Sequence, residues 1–308
     1  MRRFDRLRFF LPLLAFPLLL LRLEETRQGV SEGLALCGAL LIPSLFPFSV
    51  LANTLIHMGL AQCLEERLRL PSVAVPWLLG LLGGFPLGAQ SLAALYRDGA
   101  VSRQEAIRAS CWCSNGGAAF LVGAVGAVLG SPKLGLLLFG IQVLASLILA
   151  LLFSAGNGSC VSCRRKPRKA QALTAALTAA LGESALAMVR LCGSVCFFLA
   201  LWQALESLLP LDRFSPLLRV LFLGAAELSS GVAALEILPR ETAFVLAAGL
   251  TGWGGLCVHL QAADALCGEG LPLGPYLFGK QCQGLLSVLL ALGLLRFGDL
   301  LGLLSLQG

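Results

Sequence analysis

Residues 76–95 read PWLLGLLGGFPLGAQSLAAL, a stretch as long as a membrane span but interrupted at its centre by the tetrapeptide GGFP. About 20 apolar residues suffice for a helix to cross the hydrocarbon core of a bilayer. Glycine and proline weaken or break the hydrogen-bond ladder of such a helix. Charged segments flank the stretch at residues 65–69 and 97–108. If both flanks are cytoplasmic, residues 76–95 form a re-entrant hairpin that enters and leaves on one side.

The composition of the whole chain is typical of a polytopic membrane protein. Of its 308 residues, 57% are hydrophobic and 13% are charged, whereas about 25% of residues are charged in soluble domains. Long apolar stretches recur and are continuous rather than alternating, which favours transmembrane helices over a closed barrel. The basic residues behind the net charge of +6 cluster in the amino-terminal tip, in short loops and at 156–172. This clustering indicates membrane topology and not nucleic-acid binding.

The two halves of the chain carry similar motifs in the same order. Residues 83–95 resemble residues 223–235, and residues 114–126 resemble residues 252–264, with identities at Gly, Ala and Leu. The first half is predicted to cross the membrane an odd number of times, so the second half would begin on the opposite face. The sequence therefore predicts an inverted repeat, which is typical of secondary transporters. The alternative, in which both hairpins are ordinary spans, stays open.

The predicted fold class is an all-α, polytopic transmembrane bundle with an inverted repeat and two re-entrant helical hairpins. Its parts are an amino-terminal anchor helix at 1–30, a first repeat at 31–155, a basic cytoplasmic linker at 156–172 and a second repeat at 173–308. The full spans are the anchor and helices at 33–56, 109–130, 134–153, 183–208, 242–266 and 276–297, and the hairpins lie at 76–95 and 217–238.

Glu227 is the most informative polar residue at predicted membrane depth. It lies in the middle of an apolar segment and is followed by Ser229 and Ser230. A charged group at the bilayer centre costs about 2.5–3.5 kcal/mol on insertion scales. Glu227 is therefore interpreted as a proton or cation site or as a contact to a solute. The alternative is a neutral glutamate that is satisfied by helix packing.

The remaining candidate residues are polar side chains and glycines within predicted spans. They are Gln90, Ser114, Asn115, Gly116, His259, Gln261 and Lys280. Asn115 precedes a glycine pair that favours an unwound helix, and broken helices present NH groups that suit an anionic solute. The glycines could instead serve close helix packing. His259 could titrate or form an interhelical hydrogen bond, and Lys280 could bind an anion or extend to the membrane interface.

The sequence lacks the motifs of common soluble enzymes. It contains no Walker-type phosphate loop, no HExxH and no nucleophile elbow, so neither enzymatic activity nor ATP-driven pumping within this chain is expected. With two histidines and a single CxxC at Cys160 and Cys163, no metal centre is expected, because the second ligand pair that zinc needs is missing. We also expect no cofactor and no nucleic-acid partner.

Four motifs together resemble a known family. They are GGFPLGAQSLAALYRDGAVSRQEAIRASCWCSNGGAAFLVGAVG at 83–126, AELSSGVAAL at 226–235, GWGGLCVHLQ at 252–261 and PYLFGKQCQGLLS at 275–287. Their content and order resemble the sporulation integral membrane proteins of the YlbJ type, which carry nucleoside-recognition (Gate) domains. The family often has a proline after the Asn/Ser segment, where this chain has Gly117-Ala118-Ala119.

The resemblance implies a fold like that of the concentrative nucleoside transporters. It also implies a location in the outer forespore membrane of a sporulating bacterium, and export of dipicolinate from the mother cell toward the forespore. Asn115, Gln90, Gln261 and Lys280 would then cradle this planar dicarboxylate. The expected partners are the lipid bilayer, a small solute and possible further copies of the chain. A nucleoside or nucleobase carrier, and a non-transporting component of a spore-assembly complex, remain as alternatives.

Overall fold

The structure, a computed structural model, describes residues 3–68, 70–154, 171–208 and 214–300, and these residues are predominantly helical and contain no strand. The all-α part of the prediction is therefore confirmed. Cys160, Cys163 and nearly all of the predicted basic linker lie outside the described residues.

The described residues of the first half form eight helices. They are α1 (Arg3–Leu21), α2 (Leu23–His57), α3 (Leu60–Leu68), α4 (Ala74–Gly83), α5 (Leu87–Arg97), α6 (Arg103–Ser110), α7 (residues 118–128) and α8 (Pro132–Ser154). Helices α2 and α7 each contain a π-helical turn, at Cys37–Leu41 and Phe120–Val125 respectively, and the two turns contact each other. Such turns often occur at functional sites.

Within 171–208 and 214–300, the second half forms six helices. They are α9 (Leu173–Glu206), α10 (Pro216–Ala226), α11 (Leu228–Ala233), α12 (Arg240–Trp253), α13 (Gly255–Gly268) and α14 (Leu273–Leu300), with a 3-10 turn at Ala234–Ile237. Five helical stretches among the described residues are long and apolar enough to cross a membrane. They are Leu23–His57, Pro132–Phe153, Leu173–Glu206, Arg240–Gly268 and Leu273–Phe297.

Two predicted spans are broken near their centres. The span predicted at 109–130 is wrong as a continuous helix, because α6 ends at Ser110 and residues 114–117 form no regular helix before α7. The span predicted at 242–266 is interrupted at Gly254, whose φ of 102° is left-handed and favours glycine. Both breaks fall at glycine pairs, where the sequence predicted an unwound backbone.

The long helices α2 and α9 pack against each other in antiparallel orientation. A Cβ atom added to Gly29 would lie 2.6 Å from the Leu199 carbonyl oxygen, and one added to Gly33 would lie 2.8 Å from the Cys196 Cα. At the other end of the pair, Asn53 Nδ2 donates to Ser184 Oγ at 2.9 Å. Small residues let helix backbones approach closely where lipid supplies no hydrophobic driving force. The two glycines therefore fix the position of α9 at the side of the bundle.

Helices α4 and α5 form the first hairpin, which turns at residues 84–86. Gly84 adopts a φ of 78°, and the two helices pack against each other. Val75, at the beginning of the hairpin, and Arg97, at its end, line the same surface cleft. The hairpin therefore begins and ends at the same end of the bundle.

Helices α10 and α11 form the second hairpin, which turns at Glu227. This residue has an extended backbone (φ −137°, ψ 115°), and it ends α10 and caps α11. Helix α10 packs against both α11 and the 3-10 turn that follows it. A break at Glu227 lies within the segment 217–238 that the sequence predicted to be a re-entrant hairpin, and its re-entrance stays a prediction.

The turns of the two hairpins meet the two broken segments through corresponding contacts. A Cβ atom on Gly84 would lie 3.0 Å from the Gly117 nitrogen, and one on Gly255 would lie 3.1 Å from the Gly224 carbonyl oxygen. In the alignment of the two halves made from the sequence, Gly84 corresponds to Gly224 and Gly117 corresponds to Gly255. Residues that this alignment pairs therefore lie close together in both halves, although the backbone atoms that meet differ.

The two broken segments run in opposite directions through the bundle. The Arg97 guanidinium, beside the start of α6, bonds to the Glu269 carboxylate after α13 at 3.1 Å. At the other end, Arg240 Nε, at the start of α12, donates to the Leu129 carbonyl oxygen just after α7 at 3.1 Å. Helices α6 and α7 therefore lead from the first end to the second, and α12 and α13 lead back.

Candidate functional site

Lys280, on α14, is fully buried beside the first broken segment. Its Nζ donates to the Ser114 carbonyl oxygen at 3.0 Å and to Gln283 Oε1 at 2.8 Å. No carboxylate among the described residues pairs with this amino group. Burying an amino group is costly unless its hydrogen bonds are made. The carbonyl of the unwound segment is available to Lys280 because it is not used within a helix.

Two amide side chains extend this network through the core. Gln283 Nε2 donates to Asn115 Oδ1 at 2.7 Å and to Gln142 Oε1, on α8, at 3.2 Å. Asn115 Nδ2 donates in turn to the Trp112 carbonyl oxygen at 3.1 Å. Asn115, Gln142 and Gln283 are all fully buried. The network therefore joins α14 and α8 to the broken segment, and it stabilises the unwound backbone.

Several buried polar atoms around this network have no hydrogen-bond partner among the residues that the structure describes. They are Ser114 Oγ, Ser287 Oγ, Gln142 Nε2, Trp112 Nε1 and His259 Nε2. Native proteins satisfy most buried polar groups, so a group of exceptions calls for a reason. Unused donors and acceptors beside a buried amino group are typical of a site that accommodates water or a polar ligand.

Glu227, at the turn of the second hairpin, forms its hydrogen bonds locally. Its Oε1 accepts from the Ser229 backbone NH at 3.0 Å, and its Oε2 accepts from the Ser230 NH at 2.6 Å and the Ser230 hydroxyl at 2.7 Å. Its exposed fraction is 2%. The predicted serine neighbours are therefore its hydrogen-bond donors, and Glu227 serves as the N-cap of α11.

A small apolar cavity lies against Glu227 and Ser229. Its volume is about 30 Å³, and Leu41, Phe85 and Phe120 contribute to its walls. A cavity needs roughly 10–15 Å³ to hold one water molecule, so this space holds about two. An aromatic solute therefore fits here only after the walls move apart.

The Phe85 ring separates the Glu227 cavity from the buried Lys280 amino group. The ring lines the cavity, and its centroid lies 4.7 Å from Lys280 Nζ, within the range of a cation–π contact. Cβ atoms added to Gly116 and Gly254 would lie 3.7 and 3.5 Å from the ring. Phe85 thus contacts both backbone breaks, and the glycines leave the space that it occupies.

Gln90 and Gln261 lie together in a larger, open cleft. The cleft has a volume of about 380 Å³ and begins at Pro86, next to Phe85. Gln261 Nε2 also contacts Cys257 Sγ, in the wall of the Glu227 cavity, at 3.6 Å. Ligand pockets typically enclose about 300–1,000 Å³, so this cleft has room for a small solute.

His259 does not line either space. It is buried between α13 and α14, where its Nδ1 lies 3.3 Å from the Tyr276 hydroxyl and its ring meets Trp253 edge-on. These contacts correspond to the interhelical role that the sequence left open for this residue. Apart from His259, the predicted polar candidates thus fall into three groups around the turn at Phe85 and Pro86: the Lys280 network, the Glu227 cavity and the cleft of Gln90 and Gln261.

The chain is similar to the sporulation integral membrane protein YlbJ of Bacillus subtilis (strain 168). The two are 25% identical over an alignment of 307 residues, which covers 85% of this chain and 75% of the relative. No family model and no solved structure matches the chain. The comparison confirms a distant relationship to a sporulation membrane protein and, with the five apolar helices, a multi-pass membrane location. The Gate domains and the dipicolinate role remain predictions.

Sequence reasoning missed four residues of this region. Gln142 and Gln283 lie within predicted spans, and the rule that polar residues at membrane depth are informative applies to both of them. Arg190 also lies within a predicted span and lines the open cleft. Phe85 was quoted within a motif, but nothing in its residue type indicated that it would lie over a buried lysine.

Proposed function

We propose that this protein is a transporter that carries dipicolinate, or a similar small carboxylate, across the outer forespore membrane of a sporulating cell. The observation that carries the proposal is Lys280, a fully buried amino group with no acidic partner among the described residues. An anionic solute supplies the negative charge that no described residue places beside Lys280. The similarity to a sporulation membrane protein supports the cellular setting.

The proposed architecture is an inverted repeat with two re-entrant hairpins. It is supported by the closeness of Gly84 to Gly117 and of Gly224 to Gly255, and by the opposite directions of the two broken segments. Transporters of this kind bind solutes where discontinuous helices meet near the middle of the membrane. In this chain that place is the region around the Phe85 ring.

In the proposed mechanism, the solute replaces the Phe85 ring beside Lys280. One carboxylate accepts from Lys280 Nζ and from the amide of Asn115. Glu227 lies across the cavity and holds the second hairpin turn in place through its hydrogen bonds with Ser229 and Ser230. Because no ATP-binding motif occurs in the chain, transport is passive, ion-coupled or driven by consumption of the solute on the far side.

Flux of labelled pyridine-2,6-dicarboxylate into liposomes that contain the purified protein tests the function. We expect uptake above that of protein-free liposomes and competition by unlabelled dicarboxylate but not by uridine. Competition by uridine alone would favour the nucleoside carrier. No flux of either compound, with correctly folded protein, would favour a non-transporting component of a spore-assembly complex.

The sidedness of cysteine labelling tests the architecture. In a background without the 11 native cysteines, Ser72→Cys and Asp98→Cys flank the first hairpin, and Ser215→Cys and Glu236→Cys flank the second. A membrane-impermeant thiol reagent should modify the first pair from one side and the second pair from the other. Modification of the two members of a pair from opposite sides would show that the hairpin is a full span.

A further inference from the structure

The open cleft beside the hairpin turn is lined by two charged residues that the proposed mechanism leaves without a role. Arg190, on α9, and Asp264, on α13, share the cleft with Gln90, Gln261 and Ser194 among others. Both charged side chains are exposed to it. Neither makes an ion pair or a side-chain hydrogen bond with another described residue. The cleft therefore presents opposite charges that do not neutralise each other.

The position of Arg190 is unfavourable unless the cleft has a polar occupant. It lies near the midpoint of the 34-residue helix α9, which is apolar enough to cross a membrane. Ionisable residues within membrane spans are rare and almost always face a cavity or a partner. The cavity is present, but the partner is not supplied by the described residues. A guanidinium with its donors free is well suited to bind a carboxylate through two parallel hydrogen bonds.

The cleft also adjoins a second cleft at the charged end of the bundle. Gln90 lines both this cleft and a neighbouring one of about 210 Å³, whose walls include Arg97 and Asp98. On its inner side the cleft reaches Pro86, directly after Phe85. A solute in the cleft therefore lies between the exposed charged rim and the ring that covers Lys280.

We propose that this cleft is an access site for a carboxylate-bearing aromatic solute, with Arg190 as the residue that binds the carboxylate. The amides of Gln90 and Gln261 supply further hydrogen bonds. Asp264 repels a second anionic group, which limits the affinity for a dicarboxylate and favours its release toward Lys280. The identity of the solute rests on the proposed function, whereas the assignment of an anion-binding cleft rests on Arg190 and the cleft geometry.

Binding to detergent-purified protein tests this assignment without requiring transport. The ligand-dependent rise in thermal unfolding temperature gives the Kd. The probes are pyridine-2,6-dicarboxylate, pyridine-2-carboxylate and uridine. We expect Arg190→Gln to weaken binding of both carboxylates about tenfold or more, as the loss of a charge-assisted hydrogen bond implies. Arg190→Lys should restore part of the affinity. Asp264→Asn should strengthen dicarboxylate binding several-fold, because it removes a like charge.

The matched control is Arg27→Gln, which removes an exposed arginine whose ion-pair partner, Glu24, is on the same helix. Its carboxylate affinities should equal those of the unchanged protein. Equal affinities in Arg190→Gln would overturn the inference, as would weaker dicarboxylate binding in Asp264→Asn or no carboxylate binding by the unchanged protein. If the protein binds carboxylates through Arg190 but shows no flux, the assignment of the cleft as an anion-binding site is supported and the proposed transport function is overturned.

Discussion

The two hairpin turns differ in the side chain that occupies each turn and in the contacts that this side chain makes. At the first turn, the aromatic ring of Phe85 covers a buried amino group that is held by residues far away in sequence. At the second, the carboxylate of Glu227 caps the next helix through the backbone two and three residues further on. One turn is apolar with a basic group behind it, whereas the other carries its own acidic group.

This difference separates the interactions that stabilise a hairpin locally from those that are expected to bind the solute. The hydrogen bonds of Glu227 form with the hairpin itself, so the second turn needs nothing from the rest of the bundle. Lys280 depends on α8, α14 and the broken segment together. A movement of Phe85 would alter the surroundings of Lys280 while leaving the cap at Glu227 intact. We therefore expect solute binding to be most sensitive at the first turn.

The largest effect is expected from Lys280→Met. Removal of one partner of a buried charged hydrogen bond costs about 2–5 kcal/mol, and the lower value corresponds to a roughly 30-fold loss. Dicarboxylate uptake into liposomes should therefore fall about 30-fold or more. The matched control is Lys133→Met, which makes the same change at an exposed position. Normal uptake by folded Lys280→Met protein would show that the buried amino group is structural.

A smaller loss is expected from Glu227→Gln. The amide keeps one acceptor oxygen but turns a donor group toward the NH or hydroxyl groups that Glu227 now binds. We expect uptake to fall about tenfold, and stability to fall by roughly 1–3 kcal/mol as buried donors lose their acceptor. Glu236→Gln, at an exposed position of the same hairpin, provides the control. Unchanged uptake with lowered stability would show that Glu227 acts only as a helix cap.

The sequence predicted the features that arise within short segments. The breaks in the first hairpin and at the two glycine pairs follow from Gly and Pro, whose backbone preferences act without help from the rest of the fold. The pairing of Glu227 with Ser229 and Ser230 was likewise within reach, because a side chain that accepts from the next two or three NH groups is a local motif.

The Lys280 network could not be predicted in the same way. Lys280 and Ser114 are 166 residues apart, and Gln283 and Asn115 are 168 apart. Their contact depends on how α14 packs against an unwound segment, which no periodicity in the sequence specifies. Lys280 was therefore left between an anion site and an interfacial lysine, and its complete burial decides against the interface.

Gln283→Leu should lower the stability of the folded protein, because Gln283 forms hydrogen bonds with other buried side chains. The change removes the donor to Asn115 Oδ1 and an acceptor from Lys280 Nζ. Each buried polar group left without a partner costs about 1–3 kcal/mol. Thermal unfolding in detergent should show a clear fall in Tm, whereas Gln203→Leu, at an exposed bond to Glu32, should change Tm little. Equal effects of the two variants would mean that the network contributes no more than a surface contact.

The smallest effect is expected where the bases of the hairpins meet the bundle ends. The first hairpin is joined to the end of α13 by Arg97 and Glu269, and the second is joined to α9 by Arg219 and Glu206. The Arg97 side chain is 55% exposed, and such surface pairs contribute about 0.2–1 kcal/mol.

A double-mutant cycle of Arg97→Ala and Glu269→Ala, followed by thermal unfolding, should therefore give a coupling below about 1 kcal/mol. The same cycle for Asn115→Ala and Gln283→Ala should give a larger value, because this pair is buried and low dielectric strengthens its hydrogen bond. A surface coupling equal to the buried one would contradict the view that the Lys280 network holds the broken segment more firmly than Arg97 and Glu269 hold the base of the first hairpin. If the buried coupling is the larger, the broken segment is the firmly held part of this region and the base of the hairpin is the weakly held part.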